Sequence, residues 1–513
     1  MKRMNFGPVL TRRTDSEVNG GNKAVNNSVK MCSQKGEMTM TSKIMILCIV
    51  GILVIGVFYF FLGQENEEFQ LVPRDISRKV ATAAEAKISG TEVGTGWSTS
   101  EYPETAVREA VDMALGDNRQ RNPDLAVIYA SAGSDMMGIL NAAKRILGES
   151  TKIFGGTSDS RAVMTDKGFV RVSQRGYAEG AIEGSKGLAI MTVTSKDITC
   201  GVGSAGLSEF ASVQEMSAAA VLSAIKSAGK TEGQKPAVVL LTSTIGIEEE
   251  VIEGVEQVVG RDTLLLGGTV GGPDIAVFGE DAIHKKGVCL AVIYTDLPLG
   301  WTFEGGFDVT DKHSGIVTKV DGQDIVEIDN KPALDVYDQW LGGEIEELHN
   351  QARKPDAVRD LLTLHPLYRR YASDKGQNYF LFSHPWPKDD KMQDRCISTS
   401  TKIKPGERIY LSHGTWETLV NRIGNLPRNA KIYGGTDAAA KPLFGLGFIC
   451  GGVLGAIPES EREKLAILIN YSNSSAPFIA CFTWGEQGHF PGVGNKHGNL
   501  LTSFLVVGSR NTR

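Results

Sequence analysis

Pro123-Asp-Leu-Ala-Val-Ile-Tyr-Ala-Ser131 and Lys235-Pro-Ala-Val-Val-Leu-Leu-Thr-Ser243 are apolar runs that end on serine, and each is followed by Gly-Gly-Thr, at Gly155-Gly156-Thr157 and Gly267-Gly268-Thr269. The offset from Ser131 to Ser243 is 112 residues, and Thr157 to Thr269 repeats it. Unbroken apolar runs of this length read as buried strands. Between serine and Gly-Gly-Thr the period changes to that of a helix, over about 135–147 in the first copy and through Ile247, Val251, Val255 and Val258 in the second. Upstream, Val107, Val111 and Leu115 share one face of a helix opened by Pro103 and closed by Gly116, matched by a helix over 212–228. Downstream, Lys186-Gly-Leu-Ala-Ile190 answers Lys286-Gly-Val-Cys-Leu290. A shared order and spacing of this kind signals internal duplication. The class is α/β, with an internally duplicated βαβαβ N-terminal domain over 90–298. A weaker third echo runs through 407–412, a helix at 416–423 and Lys431-Ile-Tyr-Gly-Gly-Thr436.

The texture changes near 297–300, and 299–508 reads as a second, α/β C-terminal domain. It opens with strands over 301–309 and 315–320, a turn at Asp321-Gly322 and a helix near 333–341. Pro385-Trp-Pro-Lys-Asp-Asp-Lys391 carries two prolines and four charges and is expected on the surface. Toward the N-terminus, 44–63 (IMILCIVGILVIGVFYFFLG) has no charged residue, and at about 1.5 Å per residue a helix of that length covers a ~30 Å hydrocarbon layer. One transmembrane helix is therefore expected, preceded by a basic, disordered segment over 1–43 and followed by a linker over 64–89. Eight Lys/Arg precede the span and Glu65, Glu67 and Glu68 follow it, so the positive-inside rule places the N-terminus in the cytoplasm and the large domain outside. A cleaved signal peptide fits less well, because 60–64 offers no small-x-small cleavage site. A start at Met38 or Met40 would leave only Lys43 and the amine to orient the span.

The chain's net charge is −6, but 1–43 holds eight bases against three acids, which leaves 46 against 57 beyond it. An acidic domain without a basic stripe lacks the footprint of a nucleic-acid binder. Seven cysteines, with no Cys-x-x-Cys, argue against a zinc ribbon or redox pair and for small buried thiols.

Val317-Thr-Lys-Val-Asp-Gly-Gln-Asp-Ile-Val-Glu-Ile-Asp-Asn-Lys-Pro-Ala-Leu-Asp-Val-Tyr337 resembles the opening of the C-terminal FIST domain. Phe482-Thr-Trp-Gly-Glu486-Gln-Gly488 resembles its closing Gly-Glu motif, and His497-Gly-Asn499-Leu-Leu501 the His-Asn element after it. The Gly-Gly-Thr pairs and the strand at 286–294 are similar to the N-terminal FIST domain, so the likeness spans roughly 90–508. Where the family pattern has an arginine soon after Cys-Gly-Gly, this chain reads Ile449-Cys450-Gly-Gly-Val453. The resemblance implies a small-molecule sensor, with amino acids as a ligand class and an intracellular setting, which conflicts with the topology drawn from the span. The sequence displays no kinase, cyclase, chemotaxis or F-box segment, so output is expected through a partner protein.

Glycines let backbone approach a ligand, and Gly155, Gly156, Thr157 and Ser158 followed by Asp159 and Arg161 make a set suited to a zwitterion. Arg161 would pair with its carboxylate and Asp159 with its ammonium. Gly267, Gly268 and Thr269 offer the equivalent turn, and Glu486, His497 and Asn499 a second loop. The bland reading of the first set is a tight turn with an exposed ion pair, and that of the Glu486, His497 and Asn499 loop a structural turn. Gly201-Val-Gly203-Ser-Ala-Gly206 fits G-x-G-x-x-G, but no acid follows for a ribose, and a glycine-rich bend is the better reading. No G-x-S-x-G, Walker A or H-E-x-x-H occurs, and all eight histidines lie at 284 or beyond without ligand spacing. No catalytic residue, cofactor or metal is therefore expected. The reading is a non-enzymatic, membrane-anchored sensor of a small polar ligand. The alternatives are a hydrolase or transferase with its site between the duplicated copies, and a membrane-bound protein scaffold.

Overall fold

Leu125–Ser131 and Val238–Ser243 are strands buried along their whole length, as their composition requires. In the computed structural model, which describes residues 90–116, 122–171, 186–350, 355–388, 392–433 and 441–510, each lies at the heart of the same arrangement. In the first copy the strands run Thr91–Ser98, Leu188–Ser195, Leu125–Ser131, Lys152–Ser158 across the sheet, paired antiparallel, antiparallel and parallel. In the second, Ile198–Gly206, Gly287–Thr295, Val238–Ser243 and Leu265–Val270 repeat that order and those directions. Helices Pro103–Leu115 and Met136–Leu147 cover the first sheet, and Val213–Ser227 and Glu248–Val259 the second. Capping follows the sequence: Gly138 N–H donates to the Asp135 side chain at 2.9 Å and Glu215 N–H to Ser212 at 3.1 Å.

The first strand of the second copy corrects the sequence reading. Gly201 to Gly206 is no bend but part of the strand Ile198–Gly206, and its glycines are there to admit a helix. A Cβ on Gly201 would lie 2.1 Å from the Ala224 carbonyl oxygen, and one on Gly203 2.3 Å from that of Ala220. Gly94 and Gly96 stand 1.8 and 1.9 Å from the carbonyls of Ala114 and Ala110 by the same measure. Gly-x-Gly on this strand is thus a seat for the helix that follows, used twice.

A third copy is present, though not where the sequence echo placed it. Leu299–Gly305, Leu501–Gly508, Pro442–Cys450 and Phe478–Phe490 pair antiparallel, antiparallel and parallel, with Leu426–Tyr433 packed on the first of them. The echo at 407–436 fails because Arg408–His413 belongs to another sheet and Lys431 to a helix, while 434–440 lie outside the described residues. Residues 308–413 interrupt the third copy and form an antiparallel sheet of eight strands carrying helices Ala333–Trp340, Glu344–Asn350 and Pro355–Leu364. Pro385–Pro387 is its edge strand, where proline costs no ladder bond.

The three copies close on one another in a ring. The hairpin Ala162–Thr165 with Gly168–Arg171, from the first copy, pairs with Phe478–Phe490 of the third. Val277 of the second pairs with Gly156 of the first, and Glu486 and Gln487 of the third pair with Gly268 and Gly267 of the second. The shared core carries Tyr129, Leu240 and Phe448, one from each copy, with Tyr129 edge-on to Phe448 at 6.3 Å and its hydroxyl 3.2 Å from Thr242 Oγ1. The central sheet therefore runs across the boundary expected at 298/299.

Five cysteines, 200, 289, 396, 450 and 481, are buried and unpaired, as their apolar contexts suggested. The expected basic segment, membrane helix and linker, 1–89, lie outside the described residues. Among the described residues no helix is long and apolar enough to cross a membrane.

Candidate functional site

The strand Lys152–Ser158 runs into a short turn, Asp159–Arg161, in which Ser160 takes a left-handed backbone at φ 53°. Ser158 pins that turn: its hydroxyl donates to the Ala162 carbonyl at 2.6 Å and accepts from Phe482 N–H at 2.8 Å. The turn delivers the Asp159 carboxylate to Gly451, where a Cβ would sit only 2.2 Å from Oδ2, and the Trp484 side chain hydrogen-bonds to it. Burial pushes the Asp159 carboxyl up, against hydrogen bonds from Ser160 and Trp484.

Asp159 and Ser160 line one wall of a cavity of about 670 Å³. Gly451, Gly452 and Gly455 form its floor, the partly exposed Trp386 and Trp484 flank it, and Asn499 closes one side. Three arginines reach it from different parts of the chain: Arg171 from the first copy, Arg359 from the insertion and Arg462 from the third. Arg462 is held down from its ordinary value by burial and by Arg171, and it donates to the Ile457 carbonyl at 2.9 Å. Arg171 pairs with Glu459. His384 is half-buried beside Arg359; desolvation and that guanidinium push it down to about 4, so it is a neutral imidazole at pH 7, 3.2 Å from Thr363 Oγ1. Asp360 lines the same space, 3.6 Å from the Arg359 guanidinium, so three guanidinium groups face two carboxylates, an excess that attracts anions while the carboxylates offer a place for a cation.

Under the floor lies a fully buried carboxyl. Glu486, 0% exposed, is 2.6 Å from Thr483 Oγ1 and accepts from Leu501 N–H at 3.0 Å. Burial pushes it well above the carboxylate range, and the neighbouring Cys450 thiol is raised by burial and by Glu486. A thiol so held is not a nucleophile at neutral pH.

The expected site residues divide. Asp159 and Asn499 line the cavity, and Asn499 donates to the Trp484 carbonyl at 3.0 Å. Glu486 and His497 sit on the paired strands Phe478–Phe490 and Gly494–Gly498 and are buried behind it. Gly155, Gly156, Gly267 and Gly268 are not open turns, as expected, but strand interior packed against neighbours: Cβ atoms on Gly156 and Gly268 would meet Ala276 O at 2.7 Å and Thr483 Cγ2 at 2.3 Å. Thr157 and Thr269 are likewise buried, and Thr157 N–H donates to Ala276 O at 3.0 Å. The Arg161 side chain lies outside the described residues. Arg171, Arg359, Arg462, His384 and Trp386 escaped the sequence reading, because nothing in their local sequence differs from an ordinary surface. A second groove of about 770 Å³, beside Glu304 and Tyr379, holds none of the expected residues.

A FIST N domain model matches residues 124–331 and a FIST C domain model residues 333–489. No curated protein matches the sequence. Among solved structures, the cyanuric acid hydrolase from A. caulinodans is similar at 10% identity over 42% of this chain and 71% of that one, with a TM-score of 0.24. PurLQS from Thermotoga maritima aligns at 10% identity over 82% and 73%, TM-score 0.18, and T. maritima PurL complexed with ADP at 11% over 82% and 71%, TM-score 0.20. Likenesses this faint carry no argument about fold or activity. The two domain matches, in tandem across the ring and its insertion, do: this chain belongs to the FIST family of sensory signal-transduction domains.

Proposed function

We propose that the protein senses a small molecule bearing a carboxylate and an amine, an amino acid among the candidates, in the cavity at Asp159. The observation that carries this reading is the meeting of Arg171, Arg359 and Arg462 with the carboxylates of Asp159 and Asp360 around one glycine-floored space. A ligand carboxylate would answer the arginines and its ammonium Asp159, with the two tryptophans against its apolar part. The ligand is bound and not turned over, in keeping with the inert Cys450 thiol. Occupancy reaches a partner protein through the insertion, since Arg359, His384 and Trp386 belong to it. Residues 44–63 anchor the chain in a membrane, with 1–43 cytoplasmic and the ring on the far side.

The test is the melting temperature of the full chain in detergent across a panel of amino acids and related metabolites. A ligand at 100 times its Kd is expected to add about 2.7 kcal/mol. Arg359→Ala, at a side chain 61% exposed, leaves the fold unchanged and is expected to weaken binding about tenfold, the loss of one charge-assisted hydrogen bond. Asp159→Asn is expected to abolish preference for an amine over its desamino analogue. No shift with any compound would favour a scaffold for proteins, and chemical conversion of a bound compound would favour an enzyme.

A further inference from the structure

Behind the cavity, three residues that are distant in sequence converge. Glu248 and Glu249 open the helix Glu248–Val259 of the second copy, and His497 lies on the strand Gly494–Gly498 of the third. One carboxylate oxygen of each glutamate and a ring nitrogen of His497 lie within 4.8 Å of one another. Glu248 and His497 are each 3% exposed. Both glutamates are held in place: Gly246 N–H donates to Glu248 at 2.8 Å, Thr269 Oγ1 donates to it at 3.2 Å, and Lys402 N–H donates to Glu249 at 3.0 Å.

The histidine supplies the second observation. Its Nδ1 is 3.0 Å from the Gln487 amide, while its Nε2 is buried with no hydrogen-bond partner. A buried polar atom left so costs about 1–3 kcal/mol. The Gln487 amide explains what the nitrogen is kept for. Its Oε1 is also without a partner, and exchanging the amide oxygen and nitrogen, which have the same shape, sets Oε1 against both Nδ1 and Thr269 Oγ1, whose one hydroxyl proton then turns from Glu248 to Gln487 and leaves that glutamate oxygen free. Nδ1 then carries the proton and donates it to Gln487, and Nε2 keeps a lone pair. This is how a metal-binding imidazole is oriented by the group behind it.

We propose that Glu248, Glu249 and His497 bind a divalent first-row transition-metal ion of the Zn²⁺ or Mn²⁺ type. An imidazole among the ligands disfavours Mg²⁺ and Ca²⁺, and the absence of thiolate disfavours Cu⁺. Bonds of about 2.0–2.2 Å require the three groups to draw together, and Glu249, the half-buried member, has room to move. The ion would tie the second copy to the third and, through Lys402, to the insertion. It stands two residues from Asn499 in the cavity wall, but the inference does not rest on the ligand-binding reading.

The full chain, stripped with a chelator and desalted, would be titrated with Zn²⁺ against a chromophoric competitor and with Co²⁺ by visible absorption. One ion per chain at micromolar Kd or tighter is expected, with a Co²⁺ spectrum lacking thiolate charge transfer. Glu249→Gln, at the least buried ligand, and His497→Gln are each expected to weaken binding more than tenfold, while Glu253→Gln on the same helix leaves it unchanged. Zn²⁺ binding that survives Glu249→Gln undiminished, a thiolate band, or no stoichiometric binding at all would overturn the site. Should His497→Gln fail to fold, Glu249→Gln decides.

Discussion

Gly96→Ala is expected to destabilise the protein by about 3 kcal/mol, far more than one added methyl usually costs. The Cβ itself would stand 1.9 Å from the Ala110 carbonyl oxygen and 2.8 Å from its carbon, both backbone atoms of the helix Pro103–Leu115. No rotamer relieves a clash with backbone. The helix must lift off the sheet, and Val107, Ala110 and Val111, all buried there, lose part of their packing, worth about 1.5–3 kcal/mol for a fully buried valine. Gly203→Ala should do the same in the second copy, against Ala220 O at 2.3 Å. Gly455→Ala is the control, since a Cβ there meets nothing within 4 Å and gains helix propensity. Denaturant midpoints of the three variants test this. Equal midpoints for Gly96→Ala and Gly455→Ala would mean that the strand and helix do not meet as described.

That glycine pair also marks where sequence reading stopped. The duplication was legible because strands Leu125–Ser131 and Val238–Ser243 are buried on both faces, and such strands announce themselves as apolar runs. The edge strands Thr91–Ser98 and Ile198–Gly206 do not, since the positions facing the helix are glycines that seat it, and they break up the apolar signal of Val93, Trp97, Ile198, Cys200 and Val202 on the other face. The third copy was hidden for another reason: the insertion 308–413 separates its first strand from the rest, and a repeat search depends on constant spacing. At the site, Asp159 and Asn499 were found because they sit beside glycine-rich motifs. The arginines were not, because their convergence is a property of the ring and the insertion together, with Arg171, Arg359 and Arg462 spread over almost three hundred residues.

Glu486→Gln is expected to stabilise the protein at neutral pH and to flatten the dependence of its stability on pH. Burial holds the Glu486 carboxyl well above its ordinary value, so the folded protein keeps a proton there that the unfolded chain releases above about pH 4.3. The native state then binds more protons than the unfolded one, and stability falls as pH rises, by about 1.4 kcal/mol per pH unit until the folded value is reached. The group's contribution is complete below the unfolded pKa and is lost on the way up. Glutamine copies the protonated form: its amide donates to Thr483 Oγ1, which donates in turn to the Ile449 carbonyl 3.2 Å away, and its oxygen accepts from Leu501 N–H. Urea denaturation of wild type and variant between pH 4 and 8 should give curves that meet at the acid end and diverge toward neutrality. Asp159, Asp166 and Glu304 are raised by burial as well, so a residual slope will persist in the variant. Parallel curves would mean that Glu486 is ionised in the folded protein.

The mutual closure of the three copies bears on how the chain can be divided. The strand Leu299–Gly305 falls inside the FIST N match, which ends at 331, while its sheet partner Leu501–Gly508 lies beyond the FIST C match, which ends at 489. A chain cut between 331 and 333 yields two pieces that each present a bare ladder of backbone donors and acceptors, the condition that drives strands to aggregate. Each piece alone is therefore expected in the insoluble fraction. Synthesised together they hold the complementary edges, so the two halves form a natural split protein whose reassembly can be followed as recovered solubility.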